Sequence, residues 1–139
     1  MTNIQFILNV QDKRSLTLRL TRSLFKRRHS ILIFCEDDKF SSNLSNDLWA
    51  SKDSFIVNSE ENFSEFDRVF LTTFQTDKMD DVLVNCSLKL TNDFSRYLKL
   101  YELVSSEEED KNLARDRFKF YRDCGFRLNA IDESELITL

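Results

Sequence analysis

A chain of 139 residues with 41% hydrophobic and 12% aromatic side chains suits one domain with a packed core. One glycine and no proline leave no way to write a P-loop or a GxGxxG turn, because those backbones need glycine to approach a phosphate. Nucleotide hydrolysis and dinucleotide chemistry are therefore not expected, and neither is a general nucleic-acid binder with one basic surface. The net charge of -4 is unevenly placed: residues 1–35 carry seven Lys/Arg and one acid, residues 36–110 seven against eighteen acids, and residues 111–139 six against five.

In chain order, Ile4 to Val10 is an apolar run of strand length. Lys13 to Arg28 is ambiguous. Leu16, Leu18 and Leu20 alternate like a strand, whereas Leu16, Leu20, Leu24 and Phe25 recur at helical spacing. Length favours a helix, capped by Asp12, with Lys26-Arg27-Arg28 at the end where the helix dipole attracts cations. Ile31 to Cys35 is a strand buried on both faces. A helix opens at Asp37 or Asp38 and runs to about Trp49, followed by a short strand over Ser54 to Val57 and a polar, acidic loop over 58–66. Val69 to Thr72 and Val82 to Asn85 read as two more buried strands, Thr91 to Arg96 as a short helix, and Leu98 to Val104 as a strand. A basic helix follows and ends at Gly125, the lone glycine, which tolerates the left-handed conformation just past a last helical turn. The tail after about residue 130 reads as loosely held. Strands alternating with helices imply a single-domain α/β fold: a Rossmann-like three-layer sandwich, its sheet mostly parallel, with helices on both faces and no working nucleotide site.

At about 100° per residue, the basic helix sorts into two arcs. Lys111, Arg115, Phe118, Lys119 and Arg122 share one, while Leu113, Ala114, Phe120, Tyr121 and Cys124 share the other and read as its core face. Arg117 falls among the core positions and must snorkel outward or find a carboxylate. Four cations on one arc suit a solvated surface, but Phe118 among them suits an acidic ligand that also carries an apolar group. Ser105, Ser106 and the acids Glu107 to Asp110 supply cap candidates and favourable charge at the helix start.

Other chemistry is sparse. Cys35, Cys86 and Cys124 include no short-spaced pair, and the single histidine, His29, completes neither a zinc site nor a catalytic triad. All three cysteines read as reduced, mostly buried thiols. No apolar run reaches the ~18 residues of a membrane span, and the N-terminus lacks the pattern of a signal peptide. The expectation is a cytoplasmic protein without membrane contact, metal or cofactor. Glu36-Asp37-Asp38 follows a buried strand, where parallel α/β folds collect their sites. A receiver-like, magnesium-binding phosphoacceptor domain using Asp37 and Asp38 is the alternative reading, set against a plain helix cap. A direct DNA binder through Arg14 to Arg28 and the last helix is opposed by the acidic middle of the chain. Trp49 and Phe55 bracket the end of the second helix, as core or as partner anchors.

Two segments carry a resemblance. Ile31-Leu-Ile-Phe-Cys-Glu-Asp-Asp-Lys39, running on to Leu48-Trp49-Ala50, resembles the strand, acidic turn and helix of the chi subunit of bacterial DNA polymerase III. Leu113-Ala-Arg-Asp-Arg-Phe-Lys-Phe-Tyr-Arg-Asp-Cys-Gly-Phe-Arg-Leu-Asn129 resembles that family's C-terminal signature more closely. The resemblance implies a non-catalytic accessory subunit of the replicative holoenzyme, a component of a DNA-directed DNA polymerase complex. Such a subunit pairs with the psi subunit, and through it with the clamp loader. It also binds the acidic C-terminal tail of single-stranded-DNA-binding protein, which ends in a Pro-Phe carboxylate, and so meets coated lagging-strand template with mostly indirect DNA contact. Lys111, Arg115, Phe118, Lys119 and Arg122 match the family positions that receive that tail, and Trp49 and Phe55 match aromatic positions on the psi-facing surface. Phe118 stands where tyrosine is common in the family, and the tail from Asp132 onward does not match it.

Overall fold

The computed structural model describes residues 1–50, 57–58, 68–73, 80–91 and 93–136. Among them are seven strands: β1 (Asn3–Val10), β2 (Ile31–Phe34), β3 (Val57–Asn58), β4 (Val69–Thr72), β5 (Val82–Asn85), β6 (Lys99–Ser105) and β7 (Arg127–Asp132). They form one sheet in the order β3-β4-β2-β5-β6-β1-β7, and every neighbouring pair is parallel. Three α-helices, α1 (Lys13–Lys26), α2 (Asp38–Trp49) and α3 (Glu108–Asp123), serve as crossovers. This is the expected α/β sandwich.

Residue alternation along the strands builds two cores. Ile7, Ile31, Ile33, Val69, Leu71, Val82, Val84 and Leu103 face one side and pack against Leu16, Leu20 and Leu24 of α1 and Leu44 and Leu48 of α2. Ile4, Phe6, Leu32, Phe34, Phe70, Leu83, Leu100 and Val104 face the other and pack against Ala114 and Tyr121 of α3 and the 3-10 turn at Phe94–Arg96. All four residues of β2, β4 and β5 are buried, as continuous apolar runs require. Each fully buried Leu, Ile or Val contributes roughly 1.5–3 kcal/mol of transfer free energy.

Local signals explain the element ends. Asp12 caps α1, its carboxylate accepting from the N–H groups of Arg14 (3.1 Å) and Ser15 (3.3 Å). The buried stripe Leu16, Leu20, Leu24 settles the ambiguous segment as helix, since strand alternation would have placed Leu18 in register with them. With glycine almost absent from the chain, Arg28 (φ 68) takes the left-handed position past α1 and Asn9 (φ 57) the one at the irregularity near the end of β1. Gly125 (φ 84) ends α3 in a Schellman motif, with its N–H bonded to the Arg122 carbonyl and that of Phe126 to the Tyr121 carbonyl. A Cβ at Gly125 would meet nothing within 4 Å, so only the backbone conformation opposes a side chain there. Gly125→Ala is expected to cost about 1–2 kcal/mol in urea unfolding, and an unchanged midpoint would contradict the motif's role.

Two expectations change. The segment after Asn129 is tied down: Ala130, Ile131 and Asp132 pair with Phe6, Ile7 and Leu8, and a capped 3-10 turn follows at Glu133–Glu135. The sequence concealed this edge strand because its side chains are only half-buried or exposed. The short helix at Thr91–Arg96 shrinks to the 3-10 turn. Of the strand expected over 54–57, only Val57 lies within the described residues. No helix among the described residues is long and apolar enough to cross a membrane.

Candidate ligand-binding groove on the last helix

The α3 crossover carries the chain from β6 over β1 to β7, so the helix lies across three strands on one face. Its start is held by Asp110. That carboxylate accepts from the Ser105 N–H (2.8 Å) and pairs with Lys13 of α1 at 2.8 Å. Burial opposes ionisation of Asp110, but Lys13 and the Ser105 N–H outweigh it and hold the carboxyl below its ordinary range.

The middle of α3 is held by a buried ion pair. Arg117, 4% exposed, places its Nε 3.3 Å from Oε2 of Glu102, which is 0% exposed on β6. Tyr121 donates a hydrogen bond to the same oxygen, Asn85 donates to Oε1 at 2.7 Å, and Arg117 Nη1 donates to the Leu88 carbonyl at 2.9 Å. Burial raises the pKa of Glu102, and Arg117, Tyr121 and Asn85 pull against that rise. Arg117 therefore neither snorkels nor stays unpartnered: it has a carboxylate.

The helix is rotated relative to the sequence projection. The buried line runs through Asp110, Ala114, Arg117 and Tyr121, whereas Leu113 is 36% exposed, Phe120 is 43% exposed and Cys124 is exposed. The projection placed Leu113, Phe120 and Cys124 in the core. The sequence puts Arg117 on the core side and asks for a carboxylate; the structure supplies Glu102, and the buried line centres on that pair. The expectation of mostly buried thiols holds for Cys35 and Cys86 and not for Cys124; burial pushes the Cys86 thiol up to about 11.

Between α3 and the carboxyl ends of β1, β6 and β7 lies a groove of ≈ 350 Å³. Phe6, Leu8, Val104, Ala114 and Ala130 form its apolar floor, and Lys111, Arg115 and Phe118 line it from the helix. Phe118 is held edge-on to Phe6, with centroids 5.3 Å apart, and packs partly against the core. Arg115 donates to Asn112 at 3.0 Å and is otherwise exposed. Of the five residues grouped by the projection, three line the groove. Lys119 is exposed farther round the helix and Arg122 is exposed two turns along the Arg115 line, 3.5 Å from Asp123. Of the floor residues, the sequence picks out only Ala114, as a core-face position of the helix. The signal for Phe6 and Leu8 is their alternation with Ile4, which puts them on one face.

The remaining candidates are separate from the groove. Trp49 is 58% exposed at the end of α2, on the opposite face of the sheet, and Phe55 lies outside the described residues. Asp37 caps α2, accepting from the Phe40 N–H at 2.8 Å, and Asp38 accepts from Thr73 Oγ1 at 3.5 Å. His29 sits 3.2 Å from Asp81. No group of three or more His, Cys, Asp or Glu able to hold a metal occurs among the described residues.

An all-parallel Rossmann-like sandwich whose groove is lined by cations and rings, rather than by a glycine loop, defines a class: an α/β domain that presents side chains, not a phosphate-cradling backbone, at its groove. Residues 1–129 match the family described as DNA polymerase III chi subunit, HolC, and the chain belongs to that family. It is 27% identical over 112 residues to DNA polymerase III subunit chi of Pseudomonas aeruginosa, covering 79% of each chain. It is 28% identical over 106 residues to the subunit chi of Escherichia coli K12, covering 71% of each. Among solved structures, the C-terminal domain of the DEAD-box protein Dbp5 superposes with a TM-score of 0.69 at 13% identity, over 99% of this chain and 93% of that one, a likeness of fold alone. Family and relatives place the chain among the subunits of DNA polymerase III, in DNA replication.

Proposed function

We propose that the chain is a non-catalytic bridging subunit whose α3 groove receives the acidic C-terminal tail of single-stranded-DNA-binding protein. The observation that carries this reading is the convergence of Lys111, Arg115 and Phe118 on one groove with an apolar floor. Arg and Lys pair with the tail's acidic side chains and terminal carboxylate, and the bowl of Phe6, Val104, Ala114 and Phe118 takes the terminal phenyl ring. Lys119 and Arg122 extend the positive field beyond the groove and steer the encounter. Trp49, exposed on the other face, is assigned to psi, which links the chain to the clamp loader, and Phe55, outside the described residues, is assigned to the same partner by its match to the family's aromatic position. Two partners on opposite faces of one sheet would couple the clamp loader to coated template in the cytoplasm, with DNA contacted mostly indirectly.

The test is calorimetry with an acidic peptide ending in Pro-Phe. Affinity is expected in the micromolar range, about -8 kcal/mol at most. Removing the terminal Phe deletes a buried ring and misplaces the carboxylate, and is expected to weaken binding by about 1.5–3 kcal/mol. Equal affinity of the full and truncated peptides would sink the groove assignment.

A further inference from the structure

We propose that the flank of α3 turned away from the groove is a second docking surface, for a basic amphipathic helix of a partner protein. Leu113 (36% exposed) and Phe120 (43% exposed) are seven residues apart and fall on one line of the helix. They belong to the small set of large apolar side chains left exposed among the described residues. Glu109, Asp116 and Asp123, all exposed, repeat at the same seven-residue interval in a row beside them. The helix thus carries two opposed faces: cations and Phe118 toward the groove, acids and an apolar pair away from it.

Phe120 is set in place before any partner arrives. Its ring meets Phe94 edge-on at 6.1 Å, and Phe94 in turn meets Phe126 at 5.0 Å. An exposed ring fixed on an aromatic bed loses little freedom on binding, which is the property of an interface anchor. Leu98, also exposed, lies at the same end of the sheet, where its carbonyl accepts from the Asn3 N–H beside the start of β7.

Charge decides the occupant. An acidic tail is repelled by the row Glu109, Asp116, Asp123 and belongs on the cationic flank. A helix with Leu or Phe at i and i+7, flanked by Lys or Arg, matches both the apolar spacing and the sign. The two flanks lie on opposite sides of the buried line through Ala114 and Tyr121, so both ligands fit at once.

Two labelled 18-residue helical peptides serve as probes, measured by fluorescence anisotropy with the full chain. Both carry Leu and Phe at i, i+7 spacing, one flanked by Lys/Arg and the other by Glu. The basic peptide is expected to saturate, with an affinity that falls at least about tenfold in Phe120→Ser and is also lowered in Asp116→Lys. It should keep its affinity in Arg115→Glu and in the presence of the acidic peptide ending in Phe. NMR amide shifts should cluster around Leu113, Asp116 and Phe120. Equal binding of the two peptides, no saturation, or indifference to both Phe120→Ser and Asp116→Lys overturns the proposal. So does a dimer in sedimentation that Phe120→Ser dissolves, since the occupant is then a second copy of this chain. Failure of the acidic peptide to bind the groove leaves these outcomes readable, because they involve different residues.

Discussion

Arg117→Ala is expected to destabilise the protein by about 3–5 kcal/mol, the range for breaking a buried ion pair by removing one partner. A domain of this kind has about 5–15 kcal/mol of stability in total, so this is the largest single-residue effect anticipated here. The cause is the carboxylate left behind. Glu102, 0% exposed, would keep Tyr121 and Asn85 as donors but lose its only countercharge in the network. Replacing Glu102 and Arg117 together with apolar residues of similar volume should cost far less, because no charge remains stranded. Urea unfolding of the single and double variants reads both; an Arg117→Ala cost below about 1 kcal/mol would show that the pair does not anchor α3.

The same pair predicts a pH signature. Burial already raises the pKa of Glu102 above its ordinary value, against the pull of Arg117. The folded state therefore holds a proton more tightly than the unfolded chain, and this group's contribution to stability falls as pH rises from the ordinary carboxyl range through the raised value. Removing Arg117 raises the folded-state value further. The deficit of Arg117→Ala should be smaller near pH 5 than near pH 8, and a deficit that grows on acidification would reverse the assignment.

Arg115→Glu is expected to weaken an acidic, Phe-ended peptide by at least ~1.5 kcal/mol, about tenfold or more in affinity. Arg115 lines the groove and is exposed, with one modest bond to Asn112, so its loss should leave stability within about 0.5 kcal/mol. The variant thus separates binding from folding, which Arg117→Ala cannot do. Wild-type affinity should also fall with added salt, because the paired charges are near the surface. Lys119→Glu and Arg122→Glu should act mainly on association rate, since both residues lie outside the groove lining. Unchanged affinity of Arg115→Glu at low salt would remove the groove as the peptide site.

Much of the groove's helix is legible in the sequence. Lys111, Arg115 and Phe118 are joined by local periodicity alone, because a helix brings residues three, four and seven apart onto one side whatever surrounds it. Gly125 marked the helix end for an equally local reason, the steric cost of a left-handed backbone for any residue with a Cβ. The apolar runs at β2, β4 and β5 announced strands buried on both faces, and their alternation with helices implied the parallel sandwich.

Tertiary structure decided what lies opposite the helix. Phe6, Val104 and Ala130 meet under α3 only because the sheet order sets β6, β1 and β7 side by side, an arrangement of distant segments that no local spacing encodes. β7 itself was missed because an edge strand half open to water carries no apolar run. Arg117 shows the division most clearly. The sequence placed it on the core side, where a cation is costly alone, and only the register of β6 beneath α3 brings Glu102 to meet it. With that carboxylate in reach the cost of a buried cation is offset, so the helix keeps Arg117 with Asp110, Ala114 and Tyr121 against the sheet and leaves Leu113 and Phe120 exposed, a choice between faces that helical spacing alone does not make.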